Sequence, residues 1–126
     1  PFPIFDERYL RKTMDENIDY FGAFVDDKLV AASSAEKDKE NKNAEMTDFA
    51  TLPKHRGKNL SYFLLKEMEG EMVSQGYKTL FTIARAESIG MNATFARTDY
   101  EFAGTLVNNT QIGESIESMN VWYKNL

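Results

Sequence analysis

The residues best suited to chemistry lie in the middle of the chain, in the basic hexapeptide Lys54-His55-Arg56-Gly57-Lys58-Asn59. An apolar and β-branched run, Glu45 to Leu52, precedes it, and Pro53 ends that run by withholding an N–H. A long amphipathic pattern follows at once, so the hexapeptide reads as a turn between a strand and a helix. A helix N-terminus offers unpaired backbone N–H groups and the positive end of its dipole, so a turn of this composition can hold a pyrophosphate. Gly57 would let the backbone approach the anion, while Arg56 and Lys58 would add charge. Other chemistries are closed to the chain. It has no cysteine, hence no thiolate nucleophile, disulfide or Cys-ligated zinc, and its single histidine, His55, rules out a multi-histidine metal site.

The elements that must position this turn follow from the pattern around it. With 126 residues, 42% of them hydrophobic, the chain suits one domain spanning residues 1–126. It opens without an initiator methionine, which is expected of a piece of a longer protein. Asp6 can cap a helix running to about Asn17. Two strands, Asp19 to Val25 and Leu29 to Ser34, flank the short polar turn Asp26-Asp27-Lys28. Glu36 to Asn43 holds no apolar residue and reads as a solvated loop. After the basic turn, Leu60, Phe63, Leu64, Met68 and Met72 recur at helical spacing, and Gly76 marks the helix end. The run from Lys78 to Arg85 has the character of a strand covered on both faces. Ser88 can cap a second helix reaching about Thr98 and turning Met91 and Phe95 inward. Tyr100 to Val107 and Ile116 to Tyr123 read as final strands joined by a polar loop, Asn108 to Gly113, with Met119, Val121 and Tyr123 on the core side.

A net charge of -5 argues against affinity for nucleic-acid phosphates and suits a cationic substrate. No apolar run approaches the length of a membrane span and no signal peptide is visible, so neither a membrane nor a nucleic-acid partner is expected and a cytoplasmic location is the default. An exposed final strand could pair with a second copy, leaving a homodimer open.

The strand, basic turn and helix resemble the acetyl-CoA-binding signature of the GNAT N-acetyltransferases, Gln/Arg-x-x-Gly-x-Gly/Ala, with Lys54, Gly57 and Asn59 at its fixed positions. Only Gly57 is a strict match. The order of elements agrees with that family from its second helix onward, and the family's first strand has no counterpart. What the resemblance implies is an α/β fold with a mixed, mostly antiparallel twisted sheet and helices on both faces. Four separated blocks, Ala44 to Leu52, Thr82 to Ala86, Gly104 to Thr110 and Ser115 to Lys124, look like the beta-lysine N-acetyltransferases. The function so implied is acetyl transfer from acetyl-CoA, without a metal, to the distal amine of beta-lysine. A different amine, such as a polyamine or a protein lysine, or a non-catalytic acyl-CoA-binding module, stays open beside it.

The resemblance also distributes roles. The strands on either side of the first long helix would splay and admit the pantetheine arm, with Ala50, Thr51 and Leu52 alongside it, Arg56, Gly57, Lys58, Asn59 and Leu60 at the pyrophosphate, and Asn92 as a further contact. Backbone N–H groups near Thr51 or Leu52 would face the oxyanion. A carboxylate would take the amine's proton, and Asp48 and Glu45 are the candidates. Period-two alternation puts them on opposite faces, with Asp48 favoured. The family's usual tyrosine acid is replaced by Phe95, leaving water, Tyr123 or another tyrosine. For the acceptor, Arg85 would meet the carboxylate and Glu87 or Glu117 an ammonium. Asn108, Asn109 and Asn120 would form a polar wall.

Overall fold

A computed structural model describes residues 17–112 and 115–126, which form six strands and two helices. The strands are β1 (Ile18–Val25), β2 (Lys28–Asp38), β3 (Asn43–Thr51), β4 (Thr79–Arg85), β5 (Glu101–Ile112) and β6 (Ser115–Asn125). The helices are α1 (Leu60–Ser74) and α2 (Ile89–Arg97). One sheet takes the order β1-β2-β3-β4-β6-β5, antiparallel at every seam except the parallel β3/β4 contact. Except for Asn17, the helix expected from Asp6 lies outside the described residues.

Local chemistry sets the element ends. Asp26 and Asp27 both have positive φ between Val25 and Lys28, as a two-residue hairpin turn requires, and Asp tolerates that conformation better than most residues. Gly76, at φ +87°, closes α1: its N–H donates to Val73 O and that of Tyr77 to Met72 O, the reciprocal pair that satisfies a helix's last carbonyls.

A single buried cluster joins both helices to the sheet. Leu65, Met68 and Met72 of α1 and Phe95 of α2 pack on Ala35, Ala44, Met46 and Leu80. Each large side chain buried there contributes roughly 1.5–3 kcal/mol. Phe95 also stands edge-on to Phe49 and Tyr100, at centroid distances of 5.9 and 5.0 Å. Ser33, buried within β2, donates its hydroxyl to the Met68 sulfur at 3.0 Å.

Several expectations are corrected. The α1 stripe is centred one residue later than its spacing suggested: Leu65 is fully buried, whereas Phe63 is 61% exposed and leans on Tyr62. β4 is covered on one face only among the described residues, for Leu80 and Thr82 are buried while Ile83 is 38% exposed. β2 runs on to Asp38 through the charged stretch, because Glu36, Lys37 and Asp38 pair with Glu45, Ala44 and Asn43 and Lys37 reaches Asp19 at 2.9 Å. Most of the polar loop expected at Asn108 is likewise strand: β5 continues to Ile112, opposite Ser115, with a register break between Leu106 and Thr110. Backbone pairing needs no apolar side chain, so polarity was a poor guide at both places. On β6 the faces also differ from expectation. Trp122 packs against the core, whereas Tyr123 turns its hydroxyl to Glu101.

Candidate active site

β3 and β4 are paired only from Asn43 and Thr79 to Glu45 and Phe81. Immediately beyond, Thr82 donates its hydroxyl to Met46 O at 2.7 Å, and from there the strands part. The gap is a cleft of about 750 Å³ whose walls include Asp48, Phe49, Thr82, Arg85, Met91 and Phe95. It continues, past Phe49, Arg56 and Arg85, into a second hollow of about 960 Å³ bounded by the basic turn, the start of α1 and α2.

At the floor of the cleft β3 is irregular. Ala32 pairs with Ala50 but Ser34 with Thr47, so β3 carries an extra residue, and Asp48 takes φ +56°. This β-bulge resets the alternation of side chains. Ser34 donates to the Asp48 carboxylate at 2.8 Å, and Glu36, on the same face of β2 as Ser34, lies opposite Glu45. Asp48 and Glu45 therefore share a face, which corrects the expectation of opposite ones. Burial first, then the charges of Glu36 and Asp48, hold the Glu45 carboxyl above the usual glutamate range. Asp48 lines the cleft and Glu45 stands at the last paired position.

The same register sorts the backbone donors. Leu52 N–H donates to Val30 O at 2.8 Å, so the Val30/Leu52 pair is hydrogen-bonded and its N–H is engaged. Ala31/Thr51 is then a non-bonded pair, whose Thr51 N–H points away from β2, into the side that β4 has left. Of the two oxyanion donors considered, Thr51 alone remains.

Pro53–His55 forms one 3-10 turn after β3. Gly57 follows at φ +82°, and nothing lies within 4 Å of where a Cβ would project, so backbone conformation and open space both suit the approach of an anion. Asn59, the N-cap of α1, is left-handed at φ +57° and makes no side-chain cap bond. That conformation explains why glycine is at home here and why asparagine, the side chain best tolerated in it, can substitute. Leu60 opens α1 and starts its run of unpaired N–H groups. Arg56 borders both hollows, Lys58 lies 3.4 Å from His55 Nδ1, and Arg97 covers the Tyr62 ring at 5.2 Å.

On the α2 side, Asn92 is fully engaged. Its amide donates to Ser88 O and Arg85 O at 2.7 and 3.0 Å, and its oxygen accepts from Trp122 Nε1 and Asn120 at 2.8 and 3.0 Å. Asn120 also accepts from Thr105. These bonds tie the end of β4 to β6 and hold the parted strand in place. Arg85 lines both hollows and is clasped by Glu117, Nε to Oε1 at 2.8 Å and Nη2 to Oε2 at 2.6 Å, which raises its pKa above the ordinary value. Glu87 lies exposed on the turn after β4. Asn108 sits in the β5 irregularity at φ +47°, its N–H donating to Ser118 Oγ at 3.0 Å, and Asn109 belongs to the same stretch. Phe95 is buried, and Tyr123 pairs with Phe81 at the closed end of the strands, so Tyr123 is removed from the candidate acids. Residues missed in the sequence include Ser34, Thr82 and Ser88; the Ser33-Ser34 pair directly after the apolar run Leu29 to Ala32 was the one available signal.

Residues 1–100 match the Acetyltransferase (GNAT) family. The chain belongs to that family. Among curated relatives of this GNAT chain, it is 50% identical to a beta-lysine N(6)-acetyltransferase of Methanococcus maripaludis over 98% of its length, and 43% identical to N-acetyltransferase YodP of Bacillus subtilis over all of it. It covers 45% and 46% of those two proteins, and so spans about half their length. The fold is shared with microcin C7 self-immunity acetyltransferase MccE, solved with acetyl-CoA and AMP: TM-score 0.84 at 18% identity, covering 98% of this chain and 69% of that one. No helix among the described residues is long and apolar enough to cross a membrane.

Proposed function

We propose that the protein transfers the acetyl group of acetyl-CoA to the distal amine of beta-lysine. The observation that carries this reading is the parting of β3 and β4 beyond Glu45 and Phe81, which opens a cleft directly onto the glycine turn and the α1 N-terminus. An extended pantetheine can lie along the β3 edge as an added strand would, with its pyrophosphate against Gly57, Lys58, Asn59, Leu60 and Arg56. Of Ala50, Thr51 and Leu52, Thr51 turns its N–H to that edge, while Ala50 and Leu52 are paired with Ala32 and Val30 of β2. The substrate assignment draws on the Methanococcus relative's name and its 50% identity.

In this chemistry the amine must first lose a proton, and a lysine-type ammonium has a pKa near ~10.4. Asp48, lining the cleft and oriented by Ser34, is the proposed acceptor, with Glu45 on the same face as the second carboxylate. The Thr51 N–H, which points into the gap, is the proposed donor to the oxyanion that forms as nitrogen adds to the thioester carbonyl. The carbon–sulfur bond then breaks, and water in the open cleft takes the second proton from the nitrogen and delivers one to the departing thiolate. Arg85 is the proposed partner of the substrate carboxylate; Glu87 and Asn108 border neither hollow and take no part in this reading. Asn92, having no free hydrogen-bonding group, acts by holding β4 and β6 rather than by touching the coenzyme.

The test is acetyl-CoA-dependent acetylation by the full-length protein of beta-lysine, alpha-lysine, spermidine and a lysine peptide. Selective modification of beta-lysine is expected. Binding of CoA without transfer to any of the four would overturn the substrate while leaving the family intact.

A further inference from the structure

We propose that Glu117 is a positioning residue, clasping one edge of Arg85 so that the opposite edge is presented to the carboxylate of the acceptor amine. This rests on the reading above, in which the acceptor carries a carboxylate, and it replaces the expectation that Glu117 itself receives an ammonium. A guanidinium has two edges that can each meet a carboxylate with two hydrogen bonds: Nε with one hydrogen of a terminal nitrogen, and the two terminal nitrogens end-on. Glu117 occupies the first, at 2.8 and 2.6 Å. Among the described residues no acceptor is bonded to the second.

Placement gives the two groups different duties. Arg85 borders both hollows of the cleft and is 49% exposed, whereas Glu117 is 9% exposed and borders neither. Glu117 is thus outside the lining of the cleft, with both oxygens engaged by the guanidinium. An ammonium in the cleft would meet Arg85 before it met Glu117, and would be repelled. The pair is also fixed from both sides. Arg85 is the last residue of β4, opposite Met119 of β6, and Glu117 lies two residues before Met119, while Ala86 N–H donates to Ser118 O at 2.9 Å. A long, flexible arginine held in this way loses less freedom when a carboxylate binds. What the site then selects is an amine bearing a carboxylate at the end remote from the reacting nitrogen.

The experiment compares two acceptors that differ only in that group, beta-lysine and 1,4-diaminopentane, using full-length wild type and the variants Glu117→Gln, Glu117→Asp and Arg85→Lys. For Glu117→Gln, KM for beta-lysine is expected to rise about tenfold, with kcat, KM for acetyl-CoA and kcat/KM for the diamine within twofold of wild type. Glu117→Asp, which keeps the charge, should recover part of the loss and also serves if the glutamine variant does not accumulate. An equal loss for both acceptors in Glu117→Gln would mean that Glu117 binds an ammonium, overturning the proposal. No loss for either, with Arg85→Lys still abolishing the preference for beta-lysine, would overturn the positioning role and leave Arg85 as the carboxylate partner. A preference unchanged in Arg85→Lys would overturn the role of Arg85, and absence of transfer to either acceptor by wild type would overturn the function and this inference together.

Discussion

β3 and β4 are two structures along one length. Over their three paired positions they are a sealed parallel seam, with Ala44 and Leu80, and Met46 just beyond, fully buried beneath α1. Beyond Met46 they diverge around a cleft, β3 gains an extra residue, and Asp48 adopts a left-handed backbone. The gap is tolerable because each strand keeps its other neighbour: β3 remains bonded to β2 as far as Thr51, and β4 to β6 as far as Arg85. The donors left over are those facing the gap, Thr51 N–H among them. Burial with complete pairing produces stability, and parting the same strands produces a row of unpaired groups that a ligand can satisfy.

Substitutions in the two halves should therefore fail in different ways. Asp48→Asn is expected to lower kcat by about 10²–10⁴-fold, the usual worth of a positioned base, while the amide still accepts from Ser34 and the melting temperature moves little. Steady-state rates and a thermal melt on the same preparation check this. Leu80→Ala, in the sealed half, should cost about 2–5 kcal/mol of stability by urea titration, with kcat of the folded protein near wild type. If the two variants lost stability and turnover alike, the division between the halves would not stand.

Legibility in the sequence follows the same division. The sealed half was readable because burial imposes periodicity: Met68 and Met72, Phe95 and the β4 run announce their elements. The place of the turn was readable because Pro53 ends the strand and the pattern of α1 begins soon after Gly57. The bulge was not. Nothing in Met46-Thr47-Asp48-Phe49 marks an inserted residue, since the register is fixed by Ser34 pairing with Thr47 across the sheet, and so Asp48 and Glu45 were expected on opposite faces. The engagement of Asn92 with Trp122 and Asn120, and of Arg85 with Glu117, depends on β6 lying beside β4, a contact between residues some thirty positions apart.

The turn offers a smaller test. If left-handed backbone is what position 59 demands, Asn59→Ala should destabilise by about 1 kcal/mol and Asn59→Gly should be close to neutral in both melting temperature and KM for acetyl-CoA. A rise in that KM for Asn59→Gly would instead assign the asparagine side chain a contact with the coenzyme.

The smallest effect is expected where the halves meet. Glu45 is the last residue of the sealed seam, and burial together with Glu36 and Asp48 raises its pKa in the folded state. A carboxyl with a raised native value holds its proton more tightly folded than unfolded, so this group's contribution to stability is greatest below the ordinary value of 4.5 and is lost as pH rises through the native one. Glu45→Gln abolishes that titration. Its melting temperature should exceed wild type at pH 7, and the gain should shrink towards pH 4. Turnover separates the two carboxylates: with Asp48 as the proton acceptor, the variant keeps kcat within a few-fold of wild type, whereas a loss as large as that of Asp48→Asn would move the base to Glu45. A stability gain equal at both pH values would trace to packing alone and remove the charges of Glu36 and Asp48 from the account of Glu45.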